Sequence, residues 1–456
     1  MDVTSAVAQS RMSPRQYLVV FGALLCNMAD GYDLSVIGFA LPHLPSDFAS
    51  TAVKGWLISI GLVGMAVGAI VVAPLADRLG RRKLLIGGVA LNLLAMVATA
   101  LAPNAEVMFA TRFFTGVAVG VLASLSIVVA QEYVPLAKRN LAAGLVTIGF
   151  SIGTIFGGII GLSMVKAFDG AWQVFFWMGA ALTAAILLFI VCLMPESLSF
   201  LVAQGTPEAR AKIARIATSI RLTGVDVNAL PPLDPEKPVS DEKLTLLSKE
   251  YRTRSLLLWF GYAILTAGYY FVATWTPQLV TNKSGDADVG TTVGTIISFG
   301  AMIGAITFGI IGIRLLATHL GWIFLAIAIA AQFVFAMTMQ GTVAMIAAAV
   351  LGFAAFAAMT SYVSAAPQLY PVLLRGKGLG YMYGFSRIGS IAAPLIAGYV
   401  ITQVSAEAMY VGASLLFLVS GVLTYILWRV TRPYLMAERA VIAQTTGVEH
   451  TASTSA

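Results

Sequence analysis

Charge is what this sequence has least of. Asp, Glu, Lys and Arg make up 11% of its 456 residues, against roughly 25% in a soluble globular domain, and the mean hydropathy is +0.87. So few charges cannot cover the surface of a water-soluble domain of this length. Soluble enzymes, nucleic-acid binders and disordered scaffolds are excluded, and the solvent is lipid. Cysteine is almost absent. Cys26 and Cys192 lie far apart in apolar stretches, which excludes a disulfide framework or a thiolate metal site. The histidines, His43, His319 and His450, have no metal-ligand spacing. No H-E-x-x-H, P-loop or nucleophile triad occurs, so no enzyme, metal or cofactor is expected, and any work must draw on a proton or other ion gradient. The net charge of +7 reads as basic loops on one side of a bilayer, with no nucleic-acid partner.

Long apolar runs are what the sequence does have. A helix crosses about 30 Å of hydrocarbon with about 20 apolar residues. Such runs fall at roughly 17–40, 55–76, 84–102, 107–130, 141–165 and 172–194, then at 255–279, 291–312, 320–339, 342–365, 378–402 and 407–428. Barrel strands are too short to account for them. The first run is also too long for a signal-peptide core, so it is expected to remain as a span. The expected fold is therefore all-α and integral to the membrane, with twelve transmembrane helices in two six-helix bundles. The divisions are 1–195 for the first bundle, 196–254 for a polar linker, 255–430 for the second bundle and 431–456 for a tail expected to be disordered. Within the linker, Pro207 to Leu222 reads as an amphipathic basic helix expected to lie at the membrane surface. If both termini are cytoplasmic, the outer loops keep only Lys54, Lys166 and Lys283. That asymmetry predicts a multi-pass protein of the plasma (inner) membrane with both termini inside, expected to act as a monomer.

A shift of 236 residues places Gly64 on Gly300, Gly68 on Gly304, Arg78 on Arg314 and Gly116 on Gly352. It also places Pro135 on Pro371, Arg139 on Arg375, Gly144 on Gly380 and Gly153 on Gly389. The matches predict two halves related as parallel repeats, an arrangement common in transporters with a midplane site. The loop after the second run, Ala73-Pro74-Leu75-Ala76-Asp77-Arg78-Leu79-Gly80-Arg81-Arg82-Lys83, resembles the signature loop of the major facilitator superfamily, with Ala73 where that family usually has Gly. Its counterpart, Gly309 to His319, keeps Arg314 but has Ile313 opposite Asp77. Arg112-Phe113-Phe114-Thr115-Gly116, Glu132-Tyr133-Val134-Pro135 followed by Arg139, and Pro195-Glu196-Ser197 are similar to further motifs of that superfamily. The resemblance implies conformational gating by Asp77, Arg78, Gly80, Arg81, Glu132, Arg139 and Arg375, with Asp77 pairing across the bundle interface.

Asp30-Gly31-Tyr32-Asp33 in the first run and Ser386-Arg387-Ile388-Gly389 with Pro394 in the eleventh resemble the aromatic acid:proton symporter family. On physics alone, ionisable groups inside spans cost about 2.5–3.5 kcal/mol on insertion scales and mark function. Asp30, Asp33, Arg112 and Arg387 are the charges well inside spans. Asp30 and Asp33 share one helix face. Asp33 lies about 10 Å from the end of its helix, at a depth that allows a pair with Arg112. Two carboxylates so close cannot both stay ionised cheaply, which suits proton coupling through Asp30 and Asp33. Arg387 has no evident acid partner on its own half and suits a carboxylate ligand. The candidate substrate-binding set is Arg387, Arg112, Tyr32, Tyr269, Tyr270, Trp275, Tyr383 and Phe385. The expected function is import of a benzoate- or hydroxybenzoate-like acid with protons by alternating access. There are two rivals: a proton-coupled antiporter exporting drugs or small metabolites, which uses the same acids with Arg387 as a structural pair, and a non-transporting receptor that keeps the carrier fold and signals through its long inner loop.

Overall fold

The computed structural model describes residues 3, 6, 7, 10–45, 47–135, 138–222, 246–312, 315–370 and 372–446. Among them are twelve long helices: α1 Pro14–Ala40, α2 Thr51–Val67, α3 Arg81–Ala100, α4 Ala105–Tyr133, α5 Arg139–Ala167, α6 Gln173–Leu193, α7 Arg252–Ser284, α8 Ala287–Ile311, α9 Ala317–Thr338, α10 Gly341–Ala365, α11 Val372–Val400 and α12 Ala406–Thr446. Eleven are long and apolar enough to cross a membrane. The remaining one, α11, carries Arg387 and a run of Gly and Tyr residues that lowers its hydropathy.

Local chemistry starts these helices where they begin. Ser13 forms a capping box with Gln16 and is followed by Pro14. Ser50, Asn104 and Asp286 cap α2, α4 and α8 through their side chains, each satisfying an N–H that has no partner within the helix. Beyond Val67, α2 continues through a π turn, Gly68–Val72, and a 3-10 turn, Ala73–Leu75.

The packing reproduces the repeat. In the first half α1 lies on α5, α2 on α4, and α3 on α4 and α6. In the second, α7 lies on α11, α8 on α10, and α9 on α10 and α12. The glycines show why. A Cβ at Gly64 would strike the Phe113 carbonyl, and one at Gly300 the Ala349 carbonyl. One at Gly116 would meet the carbonyl of Gly61, and one at Gly352 that of Ile297. Each pair of partners is related by the same 236-residue shift, so the repeat is one of backbone contact and small residues permit it.

The halves meet through α2 on α11, α5 on α8 and α1 on α7. The end carrying the start of α1 and the α2–α3 loop is rich in Lys and Arg, and we call it the basic end. Contacts between halves concentrate toward the other end. Trp56 donates to the Tyr399 hydroxyl at 2.8 Å and Ser59 to the Ile391 carbonyl at 3.0 Å. Lys54 donates to the Leu41 carbonyl at 2.8 Å and to Gln278 at 3.4 Å. Lys166 pairs with Asp288 at 3.0 Å. Lys54, which the run pattern assigned to an outer loop, is thus a buried helical residue that joins the halves. The cross-half hydrogen bonds and ion pairs just named all lie toward that other end, and Ile70, Val71, Tyr381 and Tyr383 are exposed at the basic end.

Two expectations change. The amphipathic helix, Pro207–Ser219, buries Ala209, Ile213 and Ala217. Ile213 and Ile220 pack in one cluster with Leu198, Leu201, Met194 and Tyr133, so protein rather than lipid covers that stripe. The helix also ends short of Leu222. The tail continues α12 as helix to Thr446. Residues 223–245 of the linker and 447–456 of the tail lie outside the described residues.

Candidate functional site

α1 brings its two carboxylates to the interior at mid-height, and their surroundings separate them. Asp33 is met by Arg112 from α4. Nη1 donates to Oδ1 at 2.6 Å, and Nη2 to Oδ2 at 3.2 Å and to the Asp33 carbonyl at 3.3 Å. Both residues are at most 5% exposed. Gly61 on α2 leaves room for the guanidinium, since a Cβ there would stand 3.3 Å from Nη2. A planar fork matched to a carboxylate in a dry site holds both charges. Arg112 is therefore committed to Asp33 rather than open to a ligand, although its Nε has no partner among the described residues.

Asp30, one turn earlier, is different. It is buried, and among the described residues no hydrogen bond or ion pair engages its carboxylate. It lines a small central cavity with Asp33, Ile58, Met65, Arg112 and Tyr270. Arg387 approaches from α11. Its Nη1 donates to the Met65 sulfur at 3.1 Å, a weak acceptor. No carboxylate lies within ion-pair reach of it among the described residues. Its charge is felt by Asp30, Tyr262, Tyr270 and Tyr383. Arg387 is thus an under-satisfied cation beside an unpartnered acid.

The aromatic candidates divide. Tyr270 lines the central cavity, and Tyr383 lies beside Tyr262, with ring centroids 5.9 Å apart. Tyr269 lines a second small cavity, with Leu34 common to both. Three residues are placed elsewhere. Tyr32 donates its hydroxyl to the Phe175 carbonyl and packs against Gly157 and Gly179. Trp275 is fully buried and donates to the Pro394 carbonyl at 3.0 Å, binding α7 to α11. Phe385 stacks on Trp259 at 5.5 Å and meets Phe260 edge-on.

At the basic end Gly80 turns the chain from a short helix, Ala76–Leu79, into α3 with φ +98°, a conformation that favours glycine. Arg81 pairs with Glu132 and donates to Ser197 at 3.1 Å. Ser197 donates to Glu132 at 2.5 Å. Arg82 donates its backbone N–H to Glu196 at 2.9 Å and its Nε to the Met194 carbonyl at 2.6 Å. Tyr133 donates to the Glu196 carbonyl. These contacts tie the α2–α3 loop to the ends of α4 and α6 within the first half. Arg78 is exposed. The side chains of Asp77, Arg139 and Arg375 lie outside the described residues, and so does the expected pairing of Asp77 across the halves. Sequence reasoning did not find Met65, an apolar residue with no signal to mark it. It also met Glu196 and Ser197 only as part of a motif.

A family profile described as Major Facilitator Superfamily matches residues 23–371. The gallate transporter of Pseudomonas putida is 28% identical, with 92% of each chain aligned. The 4-hydroxybenzoate transporter PcaK of Pseudomonas putida is 28% identical over 86% of this chain and 87% of that protein. The niacin transporter NiaP of Acinetobacter baylyi is 28% identical over 87% and 90%. Among solved structures, an inward-open conformation of the xylose transporter XylE from E. coli superposes with a TM-score of 0.72 at 15% identity, covering 90% of this chain and 96% of that one. With the family profile spanning most of its length and the same fold in its structural relatives, the chain belongs to the Major Facilitator Superfamily.

Proposed function

We propose that this carrier imports an aromatic carboxylate together with protons. The observation that carries the proposal is the pairing left undone across the central cavity. Among the described residues Arg387 makes no ion pair and donates to the Met65 thioether, and its charge acts on Asp30, whose carboxylate accepts no hydrogen bond there. A substrate carboxylate supplies the planar acceptor that Arg387 lacks. Its arrival sets two anions, Asp30 and the substrate, around one cation, and protonation of Asp30 relieves the excess charge. Asp33 is already neutralised by Arg112, so Asp30 is the acid left free to exchange a proton. Tyr270 and Tyr383 offer ring faces beside Arg387. Relatives that carry gallate, 4-hydroxybenzoate and niacin support an aromatic acid as the cargo.

The Lys and Arg bias places the basic end in the cytoplasm and the protein in the plasma membrane, with both termini inside. The state described is then inward-facing, sealed on the outer side by Lys54, Trp56, Ser59 and Lys166. The decisive measurement uses proteoliposomes and labelled 4-hydroxybenzoate. An inward proton gradient should drive accumulation above equilibrium, and a protonophore should abolish it. Accumulation indifferent to the gradient overturns proton coupling, and outward movement driven by proton entry makes the protein an exporter.

A further inference from the structure

We propose that the ends of α9 and α12 at the basic end form a binding site for the headgroup of an anionic phospholipid. Tyr425, Trp428, Arg429 and Arg432 fall at i, i+3, i+4 and i+7 on α12 and so share one face. His319 and Trp322, in the first turns of α9, meet that face. The His319 ring stacks nearly parallel on Trp428 with centroids 4.9 Å apart, and Trp322 stands edge-on to Tyr425 at 5.7 Å. Each arginine lies over a ring: Arg432 over Trp428 at 5.4 Å and Arg429 over Tyr425 at 6.0 Å. Further along α12, on another face, Arg254 of α7 lies over Tyr434 at 4.9 Å.

Depth places these groups at the membrane interface. Counted from Ala406, these residues lie about 28–39 Å along α12, just past one hydrocarbon thickness of about 30 Å. The rings therefore sit at interface level and the guanidiniums at headgroup level. An aromatic belt alone explains the rings but not the cations held on them. Arg429 and Arg432 are exposed, and neither has a carboxylate partner among the described residues. A ring beneath each cation holds it in place, and a guanidinium binds a phosphodiester through two oxygens with its planar fork. Exposed Val422, Ile426 and Val430 on the same helix offer apolar surface to acyl chains. That strip favours a lipid over free phosphate.

The test is native mass spectrometry of the full-length chain in neutral detergent, titrated with phosphatidylglycerol or with phosphatidylcholine of the same acyl chains. Phosphatidylglycerol should bind more tightly. The Arg429→Gln/Arg432→Gln variant should weaken it by about ten- to thirty-fold while leaving phosphatidylcholine unchanged. The Arg429→Lys/Arg432→Lys variant keeps both charges and should recover part of the loss, which separates charge from stacking even if the Gln variant folds poorly. Equal affinity for the two lipids, or retention of phosphatidylglycerol by the Gln variant, overturns the proposal. Displacement of the lipid by millimolar glycerol phosphate assigns the site to soluble phosphate and overturns it as well.

Discussion

Asp30 and Asp33 are chemically the same residue type one turn apart, and their partners alone distinguish them. Asp33 sits in the fork of Arg112, so removing either partner strands a buried charge at a cost of about 3–5 kcal/mol. Arg112→Leu should therefore lower the melting temperature in detergent sharply. The Asp33→Asn/Arg112→Leu double variant should recover much of that loss, and additive losses would show that the pair is not coupled. Asp30→Asn should leave folding intact and substrate exchange running, while abolishing accumulation driven by a proton gradient. Full accumulation in that variant would remove Asp30 from coupling. Arg387→Lys exchanges a planar fork for a point charge and should cost about 1.5–3 kcal/mol, or roughly ten- to a hundred-fold in affinity. Calorimetry with 4-hydroxybenzoate checks it, and unchanged affinity takes Arg387 out of the site.

Between helices, glycine rather than large apolar residues sets the spacing. At Gly64 and its counterpart Gly300 a methyl group would strike a carbonyl of the facing helix. Gly64→Val and Gly300→Val should thus destabilise to a similar extent, by about 1–3 kcal/mol each. Gly144→Ala, with nothing within 4 Å of a Cβ, should be neutral or slightly stabilising in the same thermal-melt series. The run pattern located these helices because length and hydropathy are local properties. It failed where packing partners mattered. The Pro207–Ser219 helix had the sequence of a lipid-surface helix, yet its stripe is covered by Leu198, Leu201 and Tyr133, and amphipathicity cannot tell an apolar protein face from an apolar lipid one. Tyr32 in the first-span motif, and Trp275 and Phe385 as aromatics of the seventh and eleventh spans, are candidates for stacking on a substrate ring. The helix rotations instead send them to Phe175, Pro394 and Trp259.

For the whole molecule, the asymmetry between its two ends sets the state. Lys54 is a buried cation whose acceptors, the Leu41 carbonyl and Gln278, come from the two different halves. Lys54→Met should loosen that closure. A cysteine placed at Ser59 in a background lacking Cys26 and Cys192 should then react faster with an impermeant maleimide added from the side opposite the basic end. Unchanged labelling would assign the seal to Trp56 and Tyr399 instead. The sequence by itself determined the solvent, the runs that became twelve helices, the two-fold repeat and the four charges within spans, because each is written in composition, period or a constant shift. Tertiary structure alone decided which acid is bound and which is free. Asp33 and Arg112 stand 79 positions apart, Arg387 and Met65 stand 322 apart, and their meeting depends on how helices rotate and approach one another, which no local pattern records.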